Sequence, residues 1–162
     1  LLIFATGFDA MTGTLLKIDI QGRGGITLAE KWSAGPVTYL GLAIDGFPNF
    51  FTVSGPGSPS VLSNMIVTIE QHVNWIMDCL DTMQARQTAT IEATETASSD
   101  WVKAGNAIAA GTLFPTCNSW YLGANVPGKP RIFMPYVGGF PSYVEICENV
   151  KREGYPGFVF SN

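Results

Sequence analysis

Between positions 62 and 83 the apolar residues Leu62, Met65, Ile66, Ile69, Val73, Ile76, Met77, Leu80 and Met83 recur at three- and four-residue steps. That spacing places them along one side of a helix. Ser58 or Ser60 is a candidate cap, and Pro59 suits a first helical turn. Leu1, Leu2, Ile3 and Phe4 form a short continuous apolar run, which predicts a strand over 1–6, ended by Gly7, of the kind buried on both faces of a parallel sheet. Positions 15–20 predict a second strand, bounded by Gly13 and Gly22, and positions 50–53 a third. Thr27 and Glu30 have capping-box spacing and predict a short helix through Trp32, stopped by Gly35 and Pro36. The stretch 84–99 is rich in Thr and Ala and weakly patterned, which predicts a surface connection. A helix over about 97–110 ends at Gly111. A last helix follows Pro141, with Tyr143, Ile146, Cys147 and Val150 on one face and Gly154 as its stop, and 158–160 reads as an edge strand. Positions 112–130 have no period. A structureless loop of that length is usually functional or disordered, and Phe114, Trp120 and Tyr121 argue against disorder.

Composition sharpens this outline. A length of 162 residues suggests one domain. A buried-type strand at position 1 suggests that further polypeptide precedes it, so the chain reads as a fragment. Only 14% of residues are charged, against about 25% in ordinary globular domains, and the mean hydropathy is +0.20. Such a chain exposes apolar surface that needs a partner. The net charge of −4 and the scattered basic residues give no nucleic-acid footprint. The most apolar stretch, 37–53, is interrupted by Asp45 and Pro48 and is too broken to span a membrane. Cys79, Cys117 and Cys147 are widely spaced and odd in number, which suits reduced thiols in a cytoplasmic protein.

The candidate motifs fall short of familiar chemistry. GANVPGKP (123–130) approaches a phosphate loop, but Pro130 stands where a hydroxyl must bind magnesium and open a helix. GRGG (22–25) lacks the third glycine of a dinucleotide fingerprint and reads as a turn. His72 is the only histidine. It lies mid-helix, three turns beyond Ser60, and reads as a helix-surface or interface residue rather than part of a triad. No metal-ligand cluster is present in the sequence. Two suggestive pieces remain: the loop SGPGSPS (54–60) at a helix start, whose backbone donors could serve a ring as readily as a phosphate, and the aromatic loop 112–130.

The stretches FATGFDAMTG, TYLGL, DGFPNFF, SGPGSPS with LSNM, IEQHV, SWY, GANVPGKPR and YVGGF resemble the C-terminal third of type I Baeyer–Villiger monooxygenases, in family order and over nearly all of the chain. The GSPS form of the loop is more similar to phenylacetone and large-ring ketone members than to the cyclohexanone enzyme. The resemblance implies an α/β fold: the C-terminal portion of the FAD domain, plus a control loop, of a flavoprotein with two dinucleotide-binding domains. Residues 1–7 would end the NADP-binding domain and form the linker, with Ala5, Thr6 and Gly7 in it. Residues 8–162 would belong to the FAD domain, with 112–130 as control loop. It implies FAD and NADP as cofactors and an NADPH-dependent conversion of ketones and O2 to esters or lactones through a flavin C4a-peroxide. Residue by residue, it implies that Ser60, Val61 and Leu62 border the substrate, that Asn64 and Met65 lie beside the flavin ring, and that Trp120 folds over NADP. Both GxGxxG fingerprints and the catalytic Arg of the family are absent from this chain, so a remainder of the polypeptide carrying both GxGxxG motifs is implied and the chain alone is expected to be inactive. Two other readings are another class B flavin monooxygenase such as an N-hydroxylase, against which the SWY and GSPS stretches argue, and a non-catalytic flavin- or nicotinamide-binding scaffold.

Overall fold

The computed structural model describes residues 1–3 and 8–162. Its elements are helices α1 (Gly13–Leu16), α2 (Leu28–Lys31), α3 (Met65–Arg86), α4 (Glu95–Ala110) and α5 (Phe140–Arg152), with strands β1 (Thr90–Ala93) and β2 (Phe158–Ser161). The two strands pair antiparallel, Ile91 opposite Phe160 and Ala93 opposite Phe158. Single 3-10 turns at Ser60–Leu62, Phe114–Thr116 and Trp120–Leu122 punctuate the loops.

One core lies where α3, α5 and β1 meet. Trp75, Cys79 and Met83 of α3 pack with Tyr143, Cys147 and Val150 of α5, with Ile91 between, and Phe158 and Phe160 close over it. Trp75 donates its indole N–H to the Cys147 carbonyl at 2.9 Å, which ties α3 to α5. A smaller core gathers Leu28, Trp32, Ile44 and Phe47. The Thr27–Glu30 capping box forms as expected and starts α2.

Several elements differ from the sequence expectation. The strand predicted over 15–20 begins as helix: Thr12 accepts from the Leu16 N–H, and Leu15 and Leu16 both lean on the smaller core. Adjacent apolar residues suit one side of a helical turn better than an alternating strand. The strand predicted over 50–53 is reduced to a bridge between Phe51 and Ala43. Leu1, Leu2 and Ile3 carry no strand and are exposed; the rest of the strand predicted over 1–6, and the linker positions Ala5, Thr6 and Gly7, lie outside the described residues. The stretch 84–99 is not a plain surface connection. It holds β1, and Ile91 in it is buried. Four residues are too few for period-two alternation to stand out.

The largest correction concerns α3. Its start is capped by Asn64, whose Oδ1 accepts from the Ile66 and Val67 N–H groups, rather than by Ser58 or Ser60. Its buried face is Thr68, His72, Trp75, Cys79 and Met83. Most of the predicted apolar stripe looks outward: Ile66 is 77% exposed, Met77 52% and Val73 44%.

Candidate functional site

The 54–60 loop is held at several points by hydrogen bonds to the rest of the fold. Three of its amides are committed within the chain. The Ser54 N–H donates to His72 Nδ1 at 2.9 Å, the Gly57 N–H to the Met134 carbonyl at 2.7 Å, and the Ser58 N–H to the Gly55 carbonyl at 3.1 Å. Its carbonyls are bound as well. The Pro56 carbonyl accepts from Thr38 Oγ1 at 2.7 Å, Gly57 from the Trp101 indole at 3.0 Å, and Ser58 from the Tyr136 N–H at 2.8 Å. Three of its five N–H groups, those of Ser54, Gly57 and Ser58, are thus engaged within the chain, which suits the turn poorly to wrapping a phosphate in the manner of a nucleotide loop. The first free amides of α3 are likewise taken by Asn64. The loop is therefore a rigid ledge rather than an anion cradle.

Glycine makes that ledge possible at one point in particular. Gly41 has φ +69°, and a Cβ there would lie 2.4 Å from the Ser58 nitrogen. The Leu40–Gly41 turn is thus the floor on which the loop rests. Ser54 and Ser60, at the loop's two ends, hold φ of +55° and +46°. Non-glycine residues adopt this region only where surroundings impose it.

The loop hands the chain to the Ser60–Leu62 turn. Ser60 is buried, with its hydroxyl 3.9 Å from the Met11 sulfur. Val61 is 42% exposed, Leu62 and Met65 are half-buried, and Asn64 is exposed. The substrate-side candidates and the two ring-side candidates therefore form one continuous rim at the start of α3. Met11 carries this rim to the 123–130 turn: Lys129 Nζ pairs with Asp9 and donates to Thr12 Oγ1 at 2.6 Å, and Asn125 donates to the Phe8 carbonyl at 2.9 Å. A cleft of about 310 Å³ opens there among Thr12, Trp32, Pro36, Gly128, Lys129 and Ile132.

Trp120 sits in a 3-10 turn that Ser119 caps through the Tyr121 N–H. It is half-buried, and its ring lies 4.2 Å from that of Tyr121. Tyr121 meets Phe114 edge-on at 5.6 Å, so the loop has its own aromatic anchor beside Trp120. The Met134 N–H donates to the Tyr121 carbonyl at 3.0 Å, and the Met134 carbonyl accepts from Gly57. One backbone ladder thus joins the Trp120 turn to the 54–60 loop.

Sequence reasoning missed His72. Far from lying on the helix surface, it is fully buried. Burial lowers its pKa to about 4, so the ring is neutral at physiological pH. Thr38, Trp101, Tyr136 and Tyr143, which hold or underlie the loop, were also missed. The one available signal was the three- and four-residue spacing of Thr68, His72, Trp75 and Cys79. Among the described residues no cluster of Cys, His, Asp and Glu could hold a metal ion. Burial pushes the thiols of Cys79 and Cys147 up to about 12. No described helix is long and apolar enough to cross a membrane.

No family model matches the chain. Solved flavoproteins do match it. An oxidized steroid monooxygenase bound to NADP superposes with a TM-score of 0.89 at 53% identity, over 96% of this chain and 28% of that one. An OTEMO complex with FAD and NADP superposes with a TM-score of 0.89 at 36% identity, over 97% and 29%. The chain is thus homologous to the FAD-dependent monooxygenases. Among curated proteins, a Baeyer–Villiger monooxygenase of Pseudooceanicola batsensis is 42% identical over 159 residues, 98% of this chain and 29% of that protein. A phenazine N-monooxygenase of Lysobacter antibioticus is 40% identical over 98% of the chain, 29% of its own length. The family resemblance read from the sequence is borne out: the chain is homologous to Baeyer–Villiger and related FAD-binding monooxygenases, and spans about 29% of the length of these relatives. An N-oxygenating enzyme thus matches almost the whole chain as well.

Proposed function

We propose that this chain forms the substrate-side wall of an NADPH-dependent Baeyer–Villiger monooxygenase. The observation that carries the reading is the hydrogen-bonded 54–60 loop leading to a rim on which Val61 is exposed and Leu62 and Met65 are half-buried, in a chain 53% identical to a solved steroid monooxygenase. The reaction balances as ketone + O2 + NADPH + H⁺ giving ester or lactone + NADP⁺ + water. FAD supplies the oxygen activation when bound. The rim fits one edge of a flat apolar ring: Met65 and Asn64 would lie beside the isoalloxazine, while Ser60, Val61 and Leu62 border the ketone. Neither GxGxxG fingerprint is present, and three amides of the 54–60 loop are already engaged within the chain, so in this reading the remainder of the polypeptide holds the pyrophosphates of FAD and NADP. A neutral ketone suits a wall of apolar side chains with few polar groups.

In this reading residues 8–162 belong to the FAD domain, residues 1–7 lead in from the NADP-binding domain, and 112–130 is the control loop. Trp120 closes on NADP while Tyr121 stays on its aromatic anchor. Closure excludes water from the reacting centre, a recurrent use of loops of this kind. Reduced cysteines fit a cytoplasmic setting. The similarity to a phenazine N-monooxygenase supports a second reading, in which the same wall faces a ring nitrogen. The test is the full-length flavoprotein with NADPH, offered a bulky ketone and, separately, an aromatic N-heterocycle. The proposal expects ketone-stimulated NADPH oxidation with ester formation. Stimulation by the heterocycle alone, with N-oxide formed, favours the second reading. No stimulation by either leaves only the scaffold role.

A further inference from the structure

We propose that His72 is a positioning residue: with Tyr143 it ties the entrance of the 54–60 loop to the Leu40–Gly41 turn beneath it and so sets where Val61 and Leu62 meet the substrate. The inference rests on the reading of the Ser60–Leu62 turn as the substrate border.

The hydrogen-bond directions follow from the groups themselves. The Tyr143 hydroxyl lies 2.7 Å from the Leu40 carbonyl, which can only accept, so Tyr143 spends its one proton there. Its oxygen lies 2.9 Å from His72 Nε2 and must accept from it. Nε2 therefore carries the imidazole proton, and Nδ1 is left with the lone pair that receives the Ser54 N–H at 2.9 Å. One directional chain results: Ser54 to His72, His72 to Tyr143, Tyr143 to Leu40. All polar atoms of two fully buried side chains are satisfied by it.

Both ends of that chain bear on the loop. At one end Ser54 enters it in a left-handed conformation with φ +55°. At the other, Leu40 precedes Gly41, whose backbone lies directly beneath Ser58. The Gly41 carbonyl is further held by Thr52 Oγ1 at 2.9 Å. The imidazole thus acts as a spacer of fixed length between the loop's entrance and its floor. Burial, which keeps His72 neutral, also keeps Nδ1 available as an acceptor. An apolar side chain of similar size would fill the space but would leave the Ser54 N–H without a partner and the entrance free to shift.

The test uses the full-length, flavin-loaded enzyme with Tyr143→Phe, His72→Leu and His72→Asn. Asn places an amide oxygen near the position of Nδ1 and retains the bond to Ser54. Per molecule of bound flavin, Tyr143→Phe and His72→Leu are expected to lower kcat/KM for ketone about tenfold or more, the scale of misplacement effects. The KM for NADPH is expected to stay unchanged, and His72→Asn to recover most of the loss relative to His72→Leu. Hydrogen exchange of the 54–62 peptide, read by mass spectrometry without turnover, should quicken in the first two variants. Should His72→Leu fail to retain flavin, Tyr143→Phe carries the test, since it removes one hydroxyl only. Unchanged ketone kinetics per bound flavin in Tyr143→Phe, with only a lower melting temperature, would overturn the positioning role, as would unchanged exchange in the peptide. A wild-type enzyme indifferent to ketones fails the functional reading instead, and the exchange measurement still decides whether His72 holds the loop.

Discussion

Val61 is the residue at which the proposed substrate wall is most open to test. It stands on a rigid turn, yet 42% of its surface is open, so shortening it removes wall without opening a core cavity. Val61→Gly is expected to shift the enzyme toward bulkier ketones while leaving ketone-free NADPH oxidation unchanged. Loss of helical-turn propensity costs about 1 kcal/mol at most. An unchanged panel of ketone kcat/KM values would remove Val61 from the substrate wall. His72 carries a prediction of a different kind. Its folded pKa of about 4 lies below the ordinary value of about 6.5. The unfolded chain therefore binds a proton first as pH falls. The stability that depends on neutral His72 is full above about pH 6.5 and is lost progressively down to about pH 4, on the order of 3 kcal/mol over the whole window. Melting temperatures followed from pH 7.5 to 4.5 should fall more steeply in the wild type than in His72→Asn. Parallel curves would contradict the burial argument.

At the scale of elements, α3 has two faces with two duties. Its inner face binds α5 and the 54–60 loop. Its outer face presents Ile66, Ile69, Val73, Met77 and Leu80, all at least 40% exposed, a contiguous apolar surface that isolated domains rarely leave open. In the functional reading the remaining polypeptide covers this face. Val73→Glu should therefore raise the solubility of the isolated 162-residue chain yet lower the stability of the full-length protein by roughly 3 kcal/mol, the scale for a buried unpaired charge. Equal tolerance in both would leave the face without a partner. For the 112–130 loop, Trp120→Ala in the full-length enzyme should weaken NADP binding and increase release of hydrogen peroxide, with the cofactor-free melting temperature nearly unchanged because Tyr121 and Phe114 still anchor the loop. A clear drop in that melting temperature with unchanged coupling of NADPH to product would make Trp120 an anchor as well. The sequence marked α3, α4, α5 and β2 through their periodicity and stop signals, and marked the 54–60 and 112–130 loops through their lack of it. It misassigned which face of α3 is inward, because Thr68 and His72 are polar and earn burial through hydrogen bonds that hydropathy does not register. The residues 15–20 and 90–93 were misread because a four-residue element is shorter than the window that reveals a period.

For the whole molecule, the low charge, the open apolar face and the absence of a pyrophosphate loop fit together. In the proposed reading they belong to a wall completed by other polypeptide, and the loop in it is held by hydrogen bonds to His72, Thr38, Trp101, Met134 and Tyr136. The candidate residues at 60–65 were legible only through family resemblance; their geometric setting, a ledge fixed from beneath by Leu40 and Gly41 and from behind by His72, became visible in the folded chain. The central claim concerns oxygen insertion beside that ledge. The most direct measurement is the fate of oxygen in a single reaction of the full-length flavoprotein with NADPH, ¹⁸O2 and a bulky ketone, followed by mass spectrometry of the product. The account predicts an ester or lactone carrying one ¹⁸O atom in the inserted position, formed together with an equal amount of NADP⁺. NADPH consumed at the same rate with and without ketone, yielding labelled hydrogen peroxide and unchanged ketone, would contradict it.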